Sequence, residues 1–232
     1  MNEVVDEIYE NETAEELYER IQREKERLIS EGKLKKQKKL PEISEDEIPF
    51  EIPKSWKWVY LKDFAECLDK LRKPINAKER SNRVGNIPYY GATGKVGYID
   101  DYLTNEQLVL LGEDGAPFFD LIKNKAYIIE GKAWINNHVH ILRSIYGEIG
   151  NKYLVNYLNI FNYTNYVNGT TRLKLTQARM NMIPISVPPL SEQKRISELI
   201  DRLFEKLDEA KEKAISALNT FELRKAKILH LA

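Results

Sequence analysis

The 232-residue sequence contains one cysteine, three histidines and no long apolar run, and each scarcity removes a class of protein. A lone Cys67 forms no disulfide framework and no thiolate zinc cluster. Nothing approaches the ~18–20 consecutive apolar residues that span a bilayer, and the acidic N-terminus lacks a signal-peptide core. The expectation is a cytoplasmic protein without a membrane partner. Catalytic patterns are equally sparse. There is no Ser/His/Asp or Cys/His arrangement with interpretable spacing and no glycine-rich cofactor loop after a strand. Val187-Pro-Pro-Leu190 has the prolines of an amino-methyltransferase motif without its polar and aromatic partners.

Net charge is missing too, with 36 Lys/Arg against 36 Asp/Glu. Its distribution is uneven. Residues 54–189 hold 18 Lys/Arg against 12 Asp/Glu, so the flanks carry the matching acidic excess. A basic middle between acidic flanks suits a domain that meets phosphates while its helices meet other proteins. Ordinary scatter over a solvated surface explains the same numbers.

The present residues punctuate the chain clearly. Thr13-Ala-Glu-Glu16 has capping-box form and opens a helix with Leu17, Ile21 and Leu28 on one stripe, closed by Gly32. A lysine cluster follows (Lys33, Lys35, Lys36, Lys38, Lys39), then Pro41 and an acidic stretch, which reads as an exposed linker. From Trp56 to Leu61 aromatic and polar residues alternate as in a strand. Short β-rich runs separated by glycines follow at Ile87–Tyr90, Val96–Ile99, Leu108–Leu111, Ala126–Ile129 and Val139–Leu142. These predict a mostly antiparallel β-rich core. Tyr153–Tyr166 reads as an amphipathic helix, and Ile183–Val187 as a last strand.

Four constellations carry possible chemistry. Gly91-Ala-Thr-Gly94-Lys95 lacks the spacing of a phosphate loop and reads as a turn, whose Lys95 and Tyr98 can reach a nucleic-acid backbone. His138 and His140 would share a strand face as a metal pair, but no third ligand is evident and structural roles fit better. Glu113, Asp114 and Asp120 with Lys123 can be imagined as a nuclease carboxylate set, although acid pairs are common in glycine turns. Asn168-Gly-Thr-Thr-Arg172-Leu-Lys174-Leu-Thr-Gln177 is the better candidate, although a plain polar loop before the last strand has the same composition. Arg reads guanine, amides read adenine and hydroxyls bond phosphate oxygens, so Thr170, Thr171, Arg172 and Lys174 are the chosen DNA-binding residues, supported by Lys95, Tyr98, Lys123 and Lys125.

The last forty residues form one heptad pattern. After Pro188-Pro189, with Ser191 as expected N-cap, Ile200, Leu207, Ala214, Phe221 and Ile228 recur every seven residues. Ile196, Leu203, Ala210 and Ala217 interleave with them. A seam of this regularity packs on another helix, and the rod would be roughly 60 Å long; a single long helix folded onto its own domain is the alternative. The dimer or partner interface is therefore placed on Ile196, Ile200, Leu203, Leu207, Ala210, Ala214 and Phe221.

Taken together, PFEIPKSWKWVYL (49–61), IPYYGATGKVGYIDDYL (87–103), LVLLGEDGAPF (108–118), KAWINNHVHILR (132–143), NGTTRLKLTQARMNMIPISVPPLSEQKRI (168–196) and LRKAKILHLA (223–232) resemble one half of a type I restriction–modification specificity subunit. The resemblance implies an α+β chain: a helix and charged linker over 1–48, a β-rich target-recognition domain over 49–189 and a coiled-coil spacer helix over 190–232. It also implies partners: double-stranded DNA, a DNA adenine methyltransferase (modification) subunit and a restriction subunit. Catalysis then lies in those partners, where S-adenosylmethionine, ATP and Mg²⁺ bind, and this chain holds no cofactor. Long members of that family carry two such units; one unit leaves open a half-subunit that pairs with itself as a homodimer or a fragment of a longer chain. Two other functions remain in view, a stand-alone DNA-modifying enzyme using the acids between Glu113 and Asp120, and a structural coiled-coil adaptor.

Overall fold

Among the described residues, eight of twelve strands hydrogen-bond into two four-stranded sheets whose facing side chains make the core. The computed structural model describes residues 12–32 and 40–229, without the side chains of Glu24 and Leu28. The lysine cluster at 33–39, the acidic first eleven residues and the last three lie outside it, as does the Leu28 position of the first stripe. The chain divides after Lys194 into two compact units. Among the described residues no helix is long and apolar enough to cross a membrane.

In the first unit, α1 (Ala14–Ser30) starts on the expected capping box: Thr13 N–H donates to Glu16 Oε2 at 2.8 Å and Glu16 N–H to Thr13 Oγ1 at 3.3 Å. Gly32 follows the C-cap at φ +71°. The α1 N-terminus is tied by Ala14 N–H to the Ser55 carbonyl, and Leu17 and Ile21 are buried. Strand β1 (Lys57–Tyr60) follows, then α2 (Leu61–Phe64), β2 (Ala65–Cys67) and α3 (Ala77–Ser81). Next come β3 (Ile87–Gly91), β4 (Gly94–Ile99), β5 (Thr104–Asn105), β6 (Leu108–Gly112), β7 (Ala126–Ile129), β8 (Lys132–Ile135) and β9 (Val139–Ser144). Helix α4 (Gly147–Ile160), β10 (Val167–Asn168), β11 (Lys174–Leu175), α5 (Gln177–Asn181) and β12 (Pro184–Val187) complete the unit. All five β-rich runs are strands.

One sheet has the order β2-β9-β6-β7, antiparallel throughout; the other has the order β4-β3-β8-β5, with β3 and β8 parallel. Leu108, Leu110, Ile129 and Ile141 from the first meet Ala133 and Ile135 from the second. Every residue of β6 is buried because α4 packs against β6, β7 and β9 and covers the remaining face. Two-residue turns at Ala92-Thr93 and Asn137-His138 reverse the chain, so the glycines of residues 91–94 serve a hairpin.

Two boundaries differ from expectation. Helix α4 begins six residues before Tyr153 and ends at Ile160. Phe161 is the C-cap, its backbone extended at φ −62° and ψ 141°, and its ring bridges Tyr157 of the last turn, 6.1 Å away, to Tyr163 at 5.1 Å and Tyr166 at 5.0 Å. Ser191 is not the N-cap of the long helix, α6 (Leu190–Leu229). It lies inside the first turn, and the Pro189 carbonyl receives the Glu192 and Gln193 N–H groups. Prolines at 188–189 therefore set the helix start, since they leave no N–H to satisfy.

In the second unit the seam is largely exposed: Leu203, Leu207, Ala210, Ala214 and Phe221 all face solvent, whereas Ile196 and Ile200 are half-buried. Phe204 and Leu218, each four residues beyond a seam position, are also exposed and widen the stripe.

Candidate nucleic-acid interface

Four turns converge at one end of the two sheets. The hairpin β10–β11 carries residues 169–173, and Gly169 at φ +105° makes its bend. A Cβ there would stand 2.5 Å from the Arg172 carbonyl oxygen, so only glycine fits. The loop leaving β6 is laced to this hairpin: Leu175 N–H donates to the Glu113 carbonyl at 2.7 Å and Gly115 N–H to the Leu173 carbonyl at 3.0 Å. Glu113 N–H in turn bonds the His138 carbonyl at 2.9 Å, which adds the β8–β9 turn. The β3–β4 turn is the fourth, because its Ala92 carbonyl would lie 3.2 Å from a Cβ at Gly112.

Side chains at this end pair in a chain of opposite charges. Asp114 accepts a bond from Arg172 and lies 3.0 Å from His138 Nδ1. Glu113 receives Arg72 on one oxygen and Lys174 on the other, the latter at 3.1 Å. Arg72 also reaches Asp69 at 3.2 Å and the Val139 carbonyl at 3.0 Å. Beneath it His140 is buried, with Nδ1 2.7 Å from Asp69 Oδ2 and Nε2–H donating to the Leu175 carbonyl at 2.9 Å. Burial pushes the Asp69 carboxyl up, but bonds from His140 and the Ile141 N–H, with the Arg72 charge, outweigh it and hold Asp69 below the ordinary carboxylate range. Asp114 is lowered by the same contest, burial against His138 and Arg172.

This pairing answers the chemical readings of the acids. Glu113 and Asp114 are committed to cations, so they do not form an open carboxylate pair for a nuclease metal. Asp69, Glu113 and His140 do offer ligand atoms within 4.8 Å of one another. Yet Arg72 bonds both carboxylates, and a divalent ion there would have to displace a guanidinium. The two histidines serve as structural pins for neighbouring turns.

The chosen DNA-binding residues fare unevenly. Thr170, Thr171, Arg172 and Lys174 are exposed on the hairpin, with the Arg172 side chain 62% exposed even while paired. Lys95 is exposed beside the β3–β4 turn, its ammonium donating to Tyr98 Oη at 2.7 Å and lying 4.7 Å from the Tyr98 ring centre. Lys123 is exposed and stands 3.4 Å from Asp120. Lys125 is a correction. It is only 3% exposed, its ammonium donates to the Asp120 and Asn159 carbonyls, and it is unavailable to a phosphate. Arg72 was missed by sequence reasoning. It holds Glu113 from a segment, 69–73, whose only signal was its basic content.

The family model for the type I restriction modification DNA specificity domain matches residues 53–219. A Haemophilus influenzae protein, provisionally named a type I restriction enzyme specificity subunit, is 36% identical over 63% of this chain and 37% of its own length. The Escherichia coli type I restriction enzyme EcoAI specificity subunit is 30% identical over 91% of this chain and 38% of its own length. The chain therefore spans well under half of each relative. A crystal structure of the S subunit of a type I restriction–modification system from M. genitalium shares the fold at TM-score 0.52 and 13% identity, covering 66% of this chain and 40% of that one. With strands, turns and long helix in place and the family model covering most of its length, the chain belongs to the type I restriction modification DNA specificity family.

Proposed function

We propose that the chain is a DNA sequence-recognition subunit of a type I restriction–modification system, directing methyltransferase and restriction subunits to a bipartite site. The observation that carries this is the gathering of four turns, with Arg172, Lys174, Thr170, Thr171 and Lys95 exposed on them, at one end of a rigid two-sheet core. Guanidinium, ammonium and hydroxyl groups on turns beside such a scaffold suit base edges and phosphates. Residues 49–189 are the reader and 190–232 the rod, with 1–48 leading into it. The chain works in the cytoplasm and performs no chemistry itself. S-adenosylmethionine, ATP and Mg²⁺ belong to its partners.

The exposed seam of α6 supports pairing with the equivalent helix of a second copy and docking of the methyltransferase subunit. Antiparallel pairing of identical readers in a homodimer implies a palindromic bipartite DNA site. Methylation mapping in cells that express the full chain with its modification subunit tests the whole reading. A single palindromic bipartite motif is expected. Two unrelated half-sites would eliminate the homodimer and require a second specificity chain; no motif at all would defeat the DNA-recognition reading.

A further inference from the structure

The loop between β6 and β7 does something unusual at its tip. Leu121 is 96% exposed and Ile122 92% exposed, adjacent aliphatic side chains held in water within a well-packed unit. Isolated apolar residues on a surface need no explanation, but these are held there by a built support. The Asp120 carboxylate accepts the Ile122 and Lys123 N–H groups at 2.9 and 3.0 Å, and Asp120 N–H bonds the Pro117 carbonyl at 3.0 Å. From below, the buried Lys125 ammonium grips the Asp120 and Asn159 carbonyls, while Asn159 Oδ1 accepts the Lys125 and Ala126 N–H groups. Burying a lysine cation is costly, and this one fixes the root of the loop. The tip is thus preorganised with its apolar side chains outward.

Resting on the DNA-recognition reading, we propose that Leu121 and Ile122 form an apolar tip that contacts the bases of bound duplex DNA. Three observations favour this occupant. The same loop starts at Glu113 and Asp114, which hold Lys174 and Arg172, so the tip springs from the end of the sheets that carries the proposed reading surface. Lys123 stands next to it, exposed, where a phosphate would flank an inserted apolar group. Size decides against a protein partner: a stable protein interface needs about 800 Å² from each side, and these two side chains, even with Phe119 of the same loop, 55% exposed, are a small fraction of that. One or two such side chains suffice to pack on thymine methyls or to wedge against a base step.

The test is enrichment from a random-sequence duplex pool by the full chain, wild type against the double variant Leu121→Ser/Ile122→Ser, with thermal melting as a control. Both side chains are exposed, so melting should not change. Wild type should enrich a motif, and the variant should lose preference at one or two positions and bind the wild-type site about 10- to 100-fold more weakly, with an unaltered salt slope. Re-synthesis of the site with uracil for thymine separates the two modes of contact: a comparable loss identifies thymine methyls, and no loss identifies the faces of a base step. Enrichment of the same motif with the same affinity by the variant overturns the inference while leaving DNA recognition intact. So does an unchanged motif with lost co-purification of the methyltransferase subunit, which would make the tip a protein contact. Failure of the wild type to enrich any motif defeats the underlying reading, and the inference with it.

Discussion

The two units use their apolar side chains in opposite ways. In the first, Leu108, Val109, Leu110 and Leu111 are all buried between a facing sheet and α4; in the second, Leu203, Leu207, Phe221 and Ile228 stand in water along a forty-residue helix. Burial relative to exposure is worth about 1.5–3 kcal/mol per large aliphatic side chain, so the first unit holds its own driving force and the second leaves its own unrealised. Helices in proteins gain most of their stability from packing an apolar face. The difference teaches that the first unit buries its own apolar side chains whereas α6 leaves a seam open for the pairing proposed above.

The same chemical insult should therefore have different outcomes in the two units. Leu110→Asp puts an unpaired charge between the sheets and should cost more than ~4 kcal/mol, enough to abolish cooperative folding. Circular dichroism during a thermal scan reads this directly. Leu203→Asp with Leu207→Asp should leave that melting transition in place and cost several kcal/mol in association instead, seen by light scattering and by co-purification of the methyltransferase subunit. An unchanged oligomeric state with intact partner binding would end the proposed role of the seam. A smaller effect sharpens the picture inside the first unit. Asp69→Asn removes the carboxylate that joins His140, the Ile141 N–H and Arg72, and should cost ~2–3 kcal/mol at pH 7 by urea unfolding. The Asp69 carboxyl is held below its ordinary value, so its contribution is present above the unfolded-state pKa of about 4 and is lost as pH falls through the lower folded value. Wild type and variant should converge in stability as the pH falls below the ordinary carboxylate range. A constant difference throughout the acid range would mean that the charge of Asp69 is not what matters.

Seven of the described strands were legible because glycine punctuation and apolar runs are local signals, and the first helix because its capping box is four residues long; β8, interior to the second sheet, and the short β2, β5, β10 and β11 were not read. Helix α4 differs from its expected bounds because the apolar period continues past its end: Phe161 still packs on Tyr157 four residues earlier, while its backbone has already turned extended and its ring meets Tyr163 and Tyr166. At the candidate interface the sequence singled out a polar stretch that the structure makes an exposed hairpin, but it could not separate Lys123 from Lys125. These two lysines differ only in which way the chain turns after Asp120, and the turn depends on the Asn159 carbonyl, thirty-four residues away from Lys125. Arg72 was invisible for the same reason, since its partner Glu113 lies forty-one residues further along. Long-range polar pairing leaves no periodicity to read.

The smallest effects test the exposed cations that the paired acids hold in place. Arg172 is gripped by Asp114 yet remains 62% exposed, so it can exchange one partner for a base edge. Arg172→Ala should cost ~1–3 kcal/mol in binding the preferred site and loosen base choice. Lys123, tethered only to Asp120 at 3.4 Å, has no geometry that selects a base and would meet phosphate. For ~4–6 phosphate contacts per reader, log K should fall against log[salt] with a slope of roughly −4 to −5. Lys123→Ala removes one such contact, so it should weaken all sequences alike and flatten the slope by about one. Competition binding against scrambled duplex at several salt concentrations separates the two outcomes. If Lys123→Ala changes base preference while the slope stays fixed, the roles given to these two residues are reversed. If neither variant alters affinity or preference, the reading surface lies elsewhere on the first unit, and the convergence of its turns serves the fold alone.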